Sequence, residues 1–322
     1  MASHAPGEFE LIARLAARLA RRAPGAPAAP PLPPGSVGIG DDCAAIPAAD
    51  GVQLLTCDIA VAGRHFLPGR TPMADVGWKV ASANVSDVCA CGGRPRYALV
   101  SLGLPPGQEP QALDALYDGL AEAAAAYGFA VVGGNVSGAA ELIVDLFLLG
   151  HAPRFIARSG AQPGDLVAVT GRLGGAAAGL ALFRDGAAPL SDPLVQRHLR
   201  PRARTDCVDL LQAVATAAID ISDGLASELG HLSERSAACL AVRGAAVPLH
   251  PALGGFARGR SALEIALGSG EEYELLFTLP PARRAALAGL DVAVIGEVRP
   301  GSGVLLDERP LAAQGWDHLR GG

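Results

Sequence analysis

Four short segments of the chain place aspartates beside apolar stretches and next to Gly, Ser, Thr or Asn. They are Gly38-Ile39-Gly40-Asp41-Asp42, Thr56-Cys57-Asp58, Asn84-Val85-Ser86-Asp87 and Asp220-Ile221-Ser222-Asp223-Gly224. A carboxylate in such a setting is costly unless it is paired, hydrogen-bonded or bound to a cation. Mg²⁺ is usually held by a few carboxylates together with substrate phosphates. The segments therefore predict a site for hard divalent cations and, with it, phosphoryl chemistry.

Two of these segments also have a purely structural interpretation. The segment 38–42 reads equally well as a turn that an aspartate side chain caps. Ser222 and Asp223, taken alone, would more simply cap the helix that follows them. Asp87 is harder to explain in this way, because it lies inside a predicted helix and a carboxylate there needs a partner.

The composition allows a large core built from aliphatic side chains. The chain has 322 residues, of which 50% are hydrophobic and only 4% aromatic. This length fits two ordinary domains or one large one. The 41 glycines and 25 prolines indicate many tight turns, as short connections between strands and helices require.

Charge and cysteine content narrow the possible partners and the compartment. The net charge is −6 and Lys/Arg residues form no stripe, so we expect no nucleic-acid partner. No apolar run reaches the ~18 residues of a membrane span, and the N-terminus does not read as a signal peptide. The six cysteines show no CxxC pairing and are expected to be reduced and mostly buried. These features predict a cytoplasmic protein without a membrane partner.

The periodicity of apolar residues predicts a chain that mixes strands and helices, with a boundary near residue 150 that separates 1–150 from 151–322. An amphipathic helix over 9–22 precedes a proline-rich linker. Further helices are predicted over 73–90, 111–127, 175–183, 207–217 and 225–236. Strands are predicted over 51–57, 96–104, 130–132, 142–149, 165–170, 218–221, 272–279 and 292–295.

Three weaker signals remain open at this level. Gly133-Gly134-Asn135 follows an apolar strand and is usually a turn, sometimes a loop that lets phosphate approach the backbone. Glu271, Glu272 and Glu274 read either as a solvated run on an edge strand or, after Gly-Ser-Gly, as part of a site. His65, next to a turn, is most simply a surface residue.

Taken in order, the segments resemble the thiamine-monophosphate kinase family, within the aminoimidazole ribonucleotide synthetase superfamily. The likeness covers nearly the whole chain and rests on the ordered set of motifs. These are GIGDDCA at 38–44, TCDIAVAGRHFLP at 56–68, KVASANVSDVCACGGRP at 79–95, ARSGAQPGD at 157–165, HLRPRAR at 198–204, AIDISDGLASELGH at 218–231 and GSGEEYELLFT at 268–278.

The resemblance implies a two-domain fold of the α+β and α/β classes. The N-terminal domain would bind metal and ATP and dimerise through its sheet into a barrel, and the C-terminal α/β domain would close over nucleotide and substrate. The implied reaction is in-line, Mg²⁺-assisted transfer of the ATP γ-phosphoryl group to thiamine monophosphate, which gives thiamine diphosphate. Several Mg²⁺ ions, ATP as co-substrate and a homodimer follow from the same resemblance.

The resemblance also implies a set of site residues. The metal ligands would be Asp42, Thr56, Cys57, Asp58, Asp87, Asp220 and Asp223, with Asp87 and Asp223 as the catalytic pair. The residues that border the nucleotide would be Gly134, Asn135, Arg158 and Ser222. The residues that contact thiamine phosphate would be His65, Glu271 and Trp316.

Three departures from the family pattern qualify this set. The family commonly has aspartate where this chain has Asn135, so one metal position would be weaker or differently filled. Cys57 replaces a threonine and removes a hard oxygen ligand, although its backbone carbonyl remains. Glu272 stands where aspartate is usual. Two other functions stay open: an ATP-using enzyme of the superfamily with a different acceptor, and a non-catalytic nucleotide-binding dimer.

Overall fold

The computed structural model describes residues 11, 12, 14, 15, 32–256 and 259–311. Residues 11, 12, 14 and 15 are helical, in agreement with the predicted N-terminal helix. The rest of that helix, most of the proline-rich linker and Trp316 lie outside the described residues. Among the residues that are described, no helix is both long enough and apolar enough to cross a membrane.

The first sheet has five strands in the order β1-β2-β5-β3-β4. Its strands are β1 (Ala44–Ala48), β2 (Gly51–Val61), β3 (Arg94–Leu104), β4 (Ala130–Gly138) and β5 (Ile143–Ala152). Strands β3 and β4 are parallel and the other neighbours are antiparallel. This places β4 at one edge of the sheet and the aspartate-bearing strand β2 near the other.

Two helices cover the inner face of this sheet, α1 (Met73–Ala90) and α2 (Pro110–Tyr127). They approach closely at two glycines. A Cβ on Gly119 would lie 1.8 Å from the Ala74 carbonyl oxygen, and one on Gly77 would lie 2.1 Å from that of Leu116. The helix α1 is buried on nearly all sides, because it also contacts the second sheet. It is therefore the central element of the molecule.

The outer face of the first sheet is apolar and exposed. Side chains alternate along β2, so that Thr56 and Asp58 point inward while Cys57 and Ile59 point outward. Ile59, Tyr97 and Leu99 are 49%, 51% and 44% exposed on this outer face. Because a large exposed apolar patch marks an interaction surface, this face has the character of an interface.

The second sheet has seven strands in the order β12-β11-β8-β10-β6-β9-β7. Its strands are β6 (Leu166–Thr170), β7 (Ala217–Asp220), β8 (Cys239–Val242), β9 (Leu275–Leu279), β10 (Val292–Arg299), β11 (Val304–Leu306) and β12 (Arg309–Pro310). The accompanying α-helices are α3 (Gly175–Asp185), α4 (Pro193–Leu199), α5 (Val208–Val214), α6 (Leu225–Ser236) and α7 (Ala262–Leu267). Most neighbouring strands are antiparallel, and β8 with β11 is parallel.

One apolar core cluster spans both sheets, since Val85 and Val88 of α1 belong to it together with Ala218 and Phe277 of the second sheet. The strand β5 continues to Ala152, two residues past the predicted boundary at residue 150, and β6 begins at Leu166. The boundary itself stays a prediction, and we propose that it falls in the connection 153–165.

The helices over 73–90 and 225–236 are confirmed at both ends. The turn or loop predicted at Gly133-Gly134-Asn135 is wrong, because β4 runs through it and pairs with β3. The strand predicted from Glu272 begins only at Leu275. The helix predicted over 207–217 is shorter, because a 3-10 turn (Thr205–Cys207) precedes α5 and β7 already begins at Ala217.

Candidate functional site

Three aspartates from three distant parts of the chain meet between the two sheets. Asp42 precedes β1, Asp87 lies in the last turn of α1, and Asp220 ends β7. One carboxylate oxygen from each lies within 4.8 Å of the others. The side chain of Asp42 is 1% exposed and Asp220 is 2% exposed, whereas Asp87 is only partly covered. The cluster is therefore a buried set of oxygen ligands with one more accessible member.

Hydroxyl groups fix two of these carboxylates. Thr56 Oγ1 donates to Asp87 Oδ2 at 2.6 Å, which ties α1 to strand β2. Ser86 Oγ donates to Asp220 Oδ2 at 2.6 Å, which ties α1 to the second sheet. Consecutive residues of one helix thus reach into both sheets, and the position of the cluster depends on how α1 packs between them.

A guanidinium and a neighbouring carboxylate border the cluster. Arg158 donates through Nε to Asp42 Oδ1 at 3.1 Å, and its backbone N–H donates to Asp41 Oδ2 at 3.1 Å. Burial alone would lower the pKa of Arg158, but Asp42 raises it above its ordinary value, so the guanidinium stays charged. Burial and the Asp42 charge together raise the pKa of Asp41 to about 6.

The three carboxylates repel one another. Burial first and then the charge of Asp42 raise the pKa of Asp220 to about 8, against the opposing effects of Ser86 and Arg158. Burial also raises the pKa of Asp87 well above its ordinary value, with contributions from Asp58, Asp220 and Asp42. Three carboxylates facing one guanidinium leave an excess of two negative charges if all are ionised, so the site lacks positive charge.

A hard divalent cation fits this donor set. Asp42 Oδ2 is buried and has no hydrogen-bond partner among the described residues, although buried polar atoms are nearly always paired. Carboxylate oxygens are the ligands that Mg²⁺ prefers, and here three separate segments of the chain supply them. A bound cation would satisfy the orphaned oxygen and remove the mutual repulsion, so we assign Asp42, Asp87 and Asp220 as the residues that would hold it.

This assignment predicts that Mg²⁺ stabilises the protein more at pH 8.5 than at pH 6. The pKa of Asp220 is raised to about 8, so between about pH 4 and pH 8 the folded state holds a proton that the unfolded state has released. The free energy of unfolding of the metal-free protein therefore falls as pH rises through that range. At pH 8.5 Mg²⁺ replaces the missing proton, whereas at pH 6 it must displace it.

The measurement is the rise in Tm on adding Mg²⁺ to EDTA-treated protein at the two pH values. Asp220→Asn serves as the control, since it should flatten the pH dependence. Equal Tm shifts at both pH values in the natural chain would show that the cluster does not bind the cation.

The other predicted metal ligands divide into two groups. Thr56 and Asp58 face the cluster, and the Asp58 backbone N–H donates to Asn84 Oδ1 of α1 at 3.1 Å. The Cys57 side chain is exposed on the opposite face of the sheet, so the alternation of the strand excludes its thiol from the site. For Cys57 only the backbone carbonyl remains as a possible ligand, and that role stays a prediction.

Ser222 and Asp223 form the turn between β7 and α6. The N-cap residue of α6 is Gly224, so the structural interpretation in which Ser222 or Asp223 is the cap of this helix is wrong. Instead, the buried Glu228 accepts from the Asp223 backbone N–H at 2.9 Å. The Ser222 carbonyl accepts from the Glu271 backbone N–H at 2.7 Å. The turn is thus fixed next to the cluster, while the metal and catalytic roles of Asp223 stay predictions.

Glu271 is held in an unusual backbone conformation. Its φ is +57°, in the left-handed region that non-glycine residues rarely adopt and that is found preferentially at functional sites. Its carboxylate lies 2.5 Å from Lys79 Nζ and 3.4 Å from His198 Nδ1. Burial would raise the pKa of Glu271, but the Lys79 ammonium lowers it to about 2, so the carboxylate is ionised.

Glu272 and Glu274 form a buried network behind this residue. Glu272 is fully buried and accepts from the backbone N–H groups of Gly174 and Ala176 at the start of α3. Glu274 is 3% exposed and pairs with Arg197 at 2.6 Å and Arg204 at 2.7 Å. The interpretation of this acidic run as a solvated edge strand is therefore wrong, and the network is the support of the loop that carries Glu271.

The remaining predicted residues are His65, Gly134, Asn135 and Trp316. His65 follows β2, where its Nδ1 accepts from the Val61 backbone N–H at 3.0 Å. Asn135 pairs with Ser101 on edge strand β4 and shares its outer-face orientation, and Gly134 pairs with Val100. Within one chain, neither joins the carboxylates. Trp316 is outside the described residues, so its role stays a prediction.

Sequence reasoning missed several residues that surround the site. Ser86 and Asp41 lie inside recognised motifs, and their proximity to the key aspartates was the signal that would have identified them. Lys79 begins another motif and is the only lysine in the chain. His198, by contrast, is brought to Glu271 only by the fold.

A separate groove of about 560 Å³ lies between β3 and α5. Arg94, Arg96, His151 and Gln212 contribute to its wall, and Arg94 pairs there with Asp209. None of the three clustered aspartates lines this groove. We therefore place the functional site at the carboxylates and not at this surface depression.

Comparisons with known proteins agree with this location. Residues 40–152 match the family model described as "AIR synthase related protein, N-terminal domain". Residues 162–307 match the model described as "AIR synthase related protein, C-terminal domain". The clustered aspartates are contributed by both matched regions, with Asp42 and Asp87 in the first and Asp220 in the second.

Curated relatives and a solved structure cover nearly the same length. The thiamine-monophosphate kinase of Aquifex aeolicus (strain VF5) is 41% identical over 286 residues, which is 87% of this chain and 92% of that protein. The thiamine-monophosphate kinase of Escherichia coli (strain K12) is 35% identical and covers 97% of this chain and 98% of its own length. A solved structure described as AaThiL complexed with AMPPCP and TMP superposes with a TM-score of 0.87 at 39% identity, covering 97% of both chains.

Proposed function

Because the chain belongs to the thiamine-monophosphate kinase family of AIR synthase related proteins, we propose that it transfers the γ-phosphoryl group of ATP to thiamine monophosphate. The products are thiamine diphosphate and ADP. The observation that carries the proposal is the convergence of Asp42, Asp87 and Asp220 in a fold that matches AaThiL along 97% of the chain. That structure contains AMPPCP and TMP together, so the matched fold accommodates both ligands.

The chemistry explains why the site contains several carboxylates and needs no general base. A phosphate monoester has its second pKa near 6, so the acceptor oxygen of thiamine monophosphate is already an anion at neutral pH. The obstacle is the repulsion between two polyanions that must approach in line. Mg²⁺ bound at the carboxylates supplies the positive charge that offsets this repulsion. The aspartates therefore act by holding cations and not by moving protons.

The site residues have different roles in the proposed phosphoryl transfer. Asp42, Asp87 and Asp220 hold the cations, and Asp58 and Asp223 complete the ligand set. Thr56 and Ser86 keep the carboxylates of α1 and β7 in place through their hydroxyl groups. Arg158 and Ser222 border the nucleotide, Arg158 as a permanent positive charge beside Asp42. His65, Glu271 and Trp316 contact the thiamine phosphate.

A homodimer accounts for two features that one chain leaves unexplained. The outer face of the first sheet exposes Ile59, Tyr97 and Leu99, which a second copy would cover. Gly134 and Asn135 lie on edge strand β4, away from the carboxylates of their own chain. A role for these two residues at the nucleotide therefore requires the dimer.

We predict that Leu99→Lys converts the dimer to a monomer, because a charge in the centre of a buried apolar face has no partner. The measurement is the mass by light scattering at micromolar concentration, with Tyr117→Lys as the control. Tyr117 is 41% exposed on α2, on the side of the sheet that the dimer does not use. A natural chain that is already monomeric would contradict the proposed dimer.

The six free thiols support a reducing compartment, and we place the protein in the cytoplasm on that basis. Cell fractionation tests this location.

The experiment that tests the function is a coupled assay of ADP release across candidate phosphate acceptors, with product identification by chromatography. Thiamine monophosphate is expected to give the highest kcat/KM and to yield thiamine diphosphate. Turnover of a different acceptor with none of thiamine monophosphate would leave the fold assignment intact and overturn the proposed substrate.

A further inference from the structure

Lys79 is the only lysine among 322 residues, while the other 25 basic side chains are arginines. It is also buried, with 8% of the residue exposed. Buried lysines are rare and costly unless they are paired. A chain that otherwise uses arginine for every positive charge has a compact ammonium at this one position, where a planar guanidinium has a different shape and hydrogen-bonding geometry.

The partner of this lysine is Glu271, whose two carboxylate oxygens have different surroundings. Oε2 lies 2.5 Å from Lys79 Nζ and 3.4 Å from His198 Nδ1. Oε1 accepts no hydrogen bond from the residues that the structure describes, and the side chain is 29% exposed. One oxygen is therefore anchored from behind, and the other is available to a ligand.

The backbone conformation around Glu271 holds its side chain in this position. Glu271 and Tyr273 both have positive φ, and their N–H groups donate to the carbonyls of Ser222 and Ile221. The buried pair of Glu272 with Arg197 fixes the same loop from the other side. Strain of this kind persists only where the surroundings impose it, and here it holds Glu271 beside the turn 221–223, which directly follows Asp220 of the cluster.

The position of Lys79 along α1 indicates which end of the acceptor its partner Glu271 meets. Lys79 and Asp87 are eight residues apart on this helix, which corresponds to a rise of about 12 Å. In thiamine monophosphate the phosphate is attached through a two-carbon arm to the thiazolium ring, and the aminopyrimidine lies beyond it. With the phosphate at Asp87, a group one acceptor length away meets the aminopyrimidine, whose amino group donates hydrogen bonds.

We propose that Lys79 is a positioning residue for acceptor specificity, which holds Glu271 so that its free oxygen accepts from the amino group of the aminopyrimidine. His198 Nδ1 lies 3.4 Å from Oε2, the anchored oxygen of the same carboxylate. Lys79 itself does not touch the substrate in this scheme. The inference rests on the proposed function, because it concerns how the aminopyrimidine end of thiamine monophosphate is bound.

The single lysine permits a direct spectroscopic test. Protein grown with [¹³Cε]-lysine gives one side-chain signal, from Lys79, without any assignment step. Thiamine monophosphate is expected to shift this signal, and AMPPCP with Mg²⁺ alone is expected to leave it in place. A signal that does not respond to thiamine monophosphate overturns the inference, and this test does not depend on a variant that folds.

Kinetics test the specificity role. Lys79→Met should raise the KM for thiamine monophosphate by about 10- to 100-fold, with little change in kcat or in the KM for ATP, because a charge-assisted contact to the acceptor loses its geometry. Lys79→Arg should recover part of the loss. Arg200→Met is the matched control, since Arg200 likewise forms an ion pair with a residue far away in the sequence, Asp75 of α1, but not with Glu271.

A truncated acceptor completes the test. An N-methylthiazolium phosphate keeps the cationic ring and the phosphate but lacks the aminopyrimidine, so natural chain and Lys79→Met should use it equally well. An equal loss with both acceptors contradicts the assignment to the aminopyrimidine. Turnover of thiamine monophosphate by the natural chain is measured first: its absence defeats the proposed function, whereas turnover with an unchanged KM in Lys79→Met defeats this inference alone.

Discussion

Asp87→Asn is expected to lower kcat for thiamine diphosphate formation by about 10²- to 10³-fold, the size of effect seen when one electrostatic group is removed from a preorganised site. Asp87 is the member of the cluster that α1 contributes, and Thr56 fixes its carboxylate at 2.6 Å. The amide keeps the shape but removes the negative charge that holds a divalent cation. The measurement is the steady-state rate at saturating ATP and thiamine monophosphate.

The same variant should be more stable than the natural chain when metal is absent. Burial and the charges of Asp58, Asp220 and Asp42 raise the pKa of Asp87, so ionising it in the folded state is unfavourable and the amide relieves that cost. A higher Tm in EDTA together with a lower kcat is a combination that misfolding does not produce. Asp118→Asn, on the exposed side of α2, is the control for both measurements. Near-natural turnover in folded Asp87→Asn would remove Asp87 from the site.

Glu274→Gln is expected to lower the free energy of unfolding by about 3 kcal/mol, the largest stability effect that we predict. Glu274 is 3% exposed and pairs with both Arg197 and Arg204, and it also accepts from Thr170 Oγ1 at 2.6 Å. The amide leaves two largely buried guanidinium groups facing a neutral side chain. Urea denaturation measures the effect.

The control for this variant is Glu122→Gln. Glu122 pairs with Arg200 at 2.6 Å, but its side chain is 53% exposed, so its loss should cost less than about 1 kcal/mol. Similar losses in the two variants would show that the buried network does not carry the expected energy. A loss confined to Glu274→Gln supports the view that this network holds the loop of Glu271 in place.

The features that could be predicted from the sequence are those that follow from helix or strand periodicity or from a motif. The helix α1 was predicted with its correct ends, and Asn84 and Asp87 were placed on one face of it. In the structure the Asn84 side chain donates to the Val80 carbonyl one turn earlier. The exclusion of the Cys57 thiol was also readable, because a residue between Thr56 and Asp58 on one strand must face the other way.

Other features depended on pairing between distant segments. Gly133-Gly134-Asn135 has the composition of a turn, yet it continues strand β4 because β3 supplies its hydrogen bonds. Glu274 looked like part of a solvated run, because its partner Arg197 lies 77 residues earlier in the sequence. No local pattern predicts these contacts, since tertiary structure overrides the propensity of each segment.

The measurement that tests the central claim most directly is the initial rate of thiamine diphosphate formation as free Mg²⁺ is raised at saturating thiamine monophosphate and fixed MgATP. If Asp42, Asp87 and Asp220 hold cations beyond the nucleotide's own, the rate continues to rise after all ATP is present as MgATP, and in Asp87→Asn this second rise is weakened or lost. A rate that reaches its plateau once MgATP is fully formed, equally in both proteins, would contradict the assignment of the carboxylate cluster as the metal site of a thiamine-monophosphate kinase.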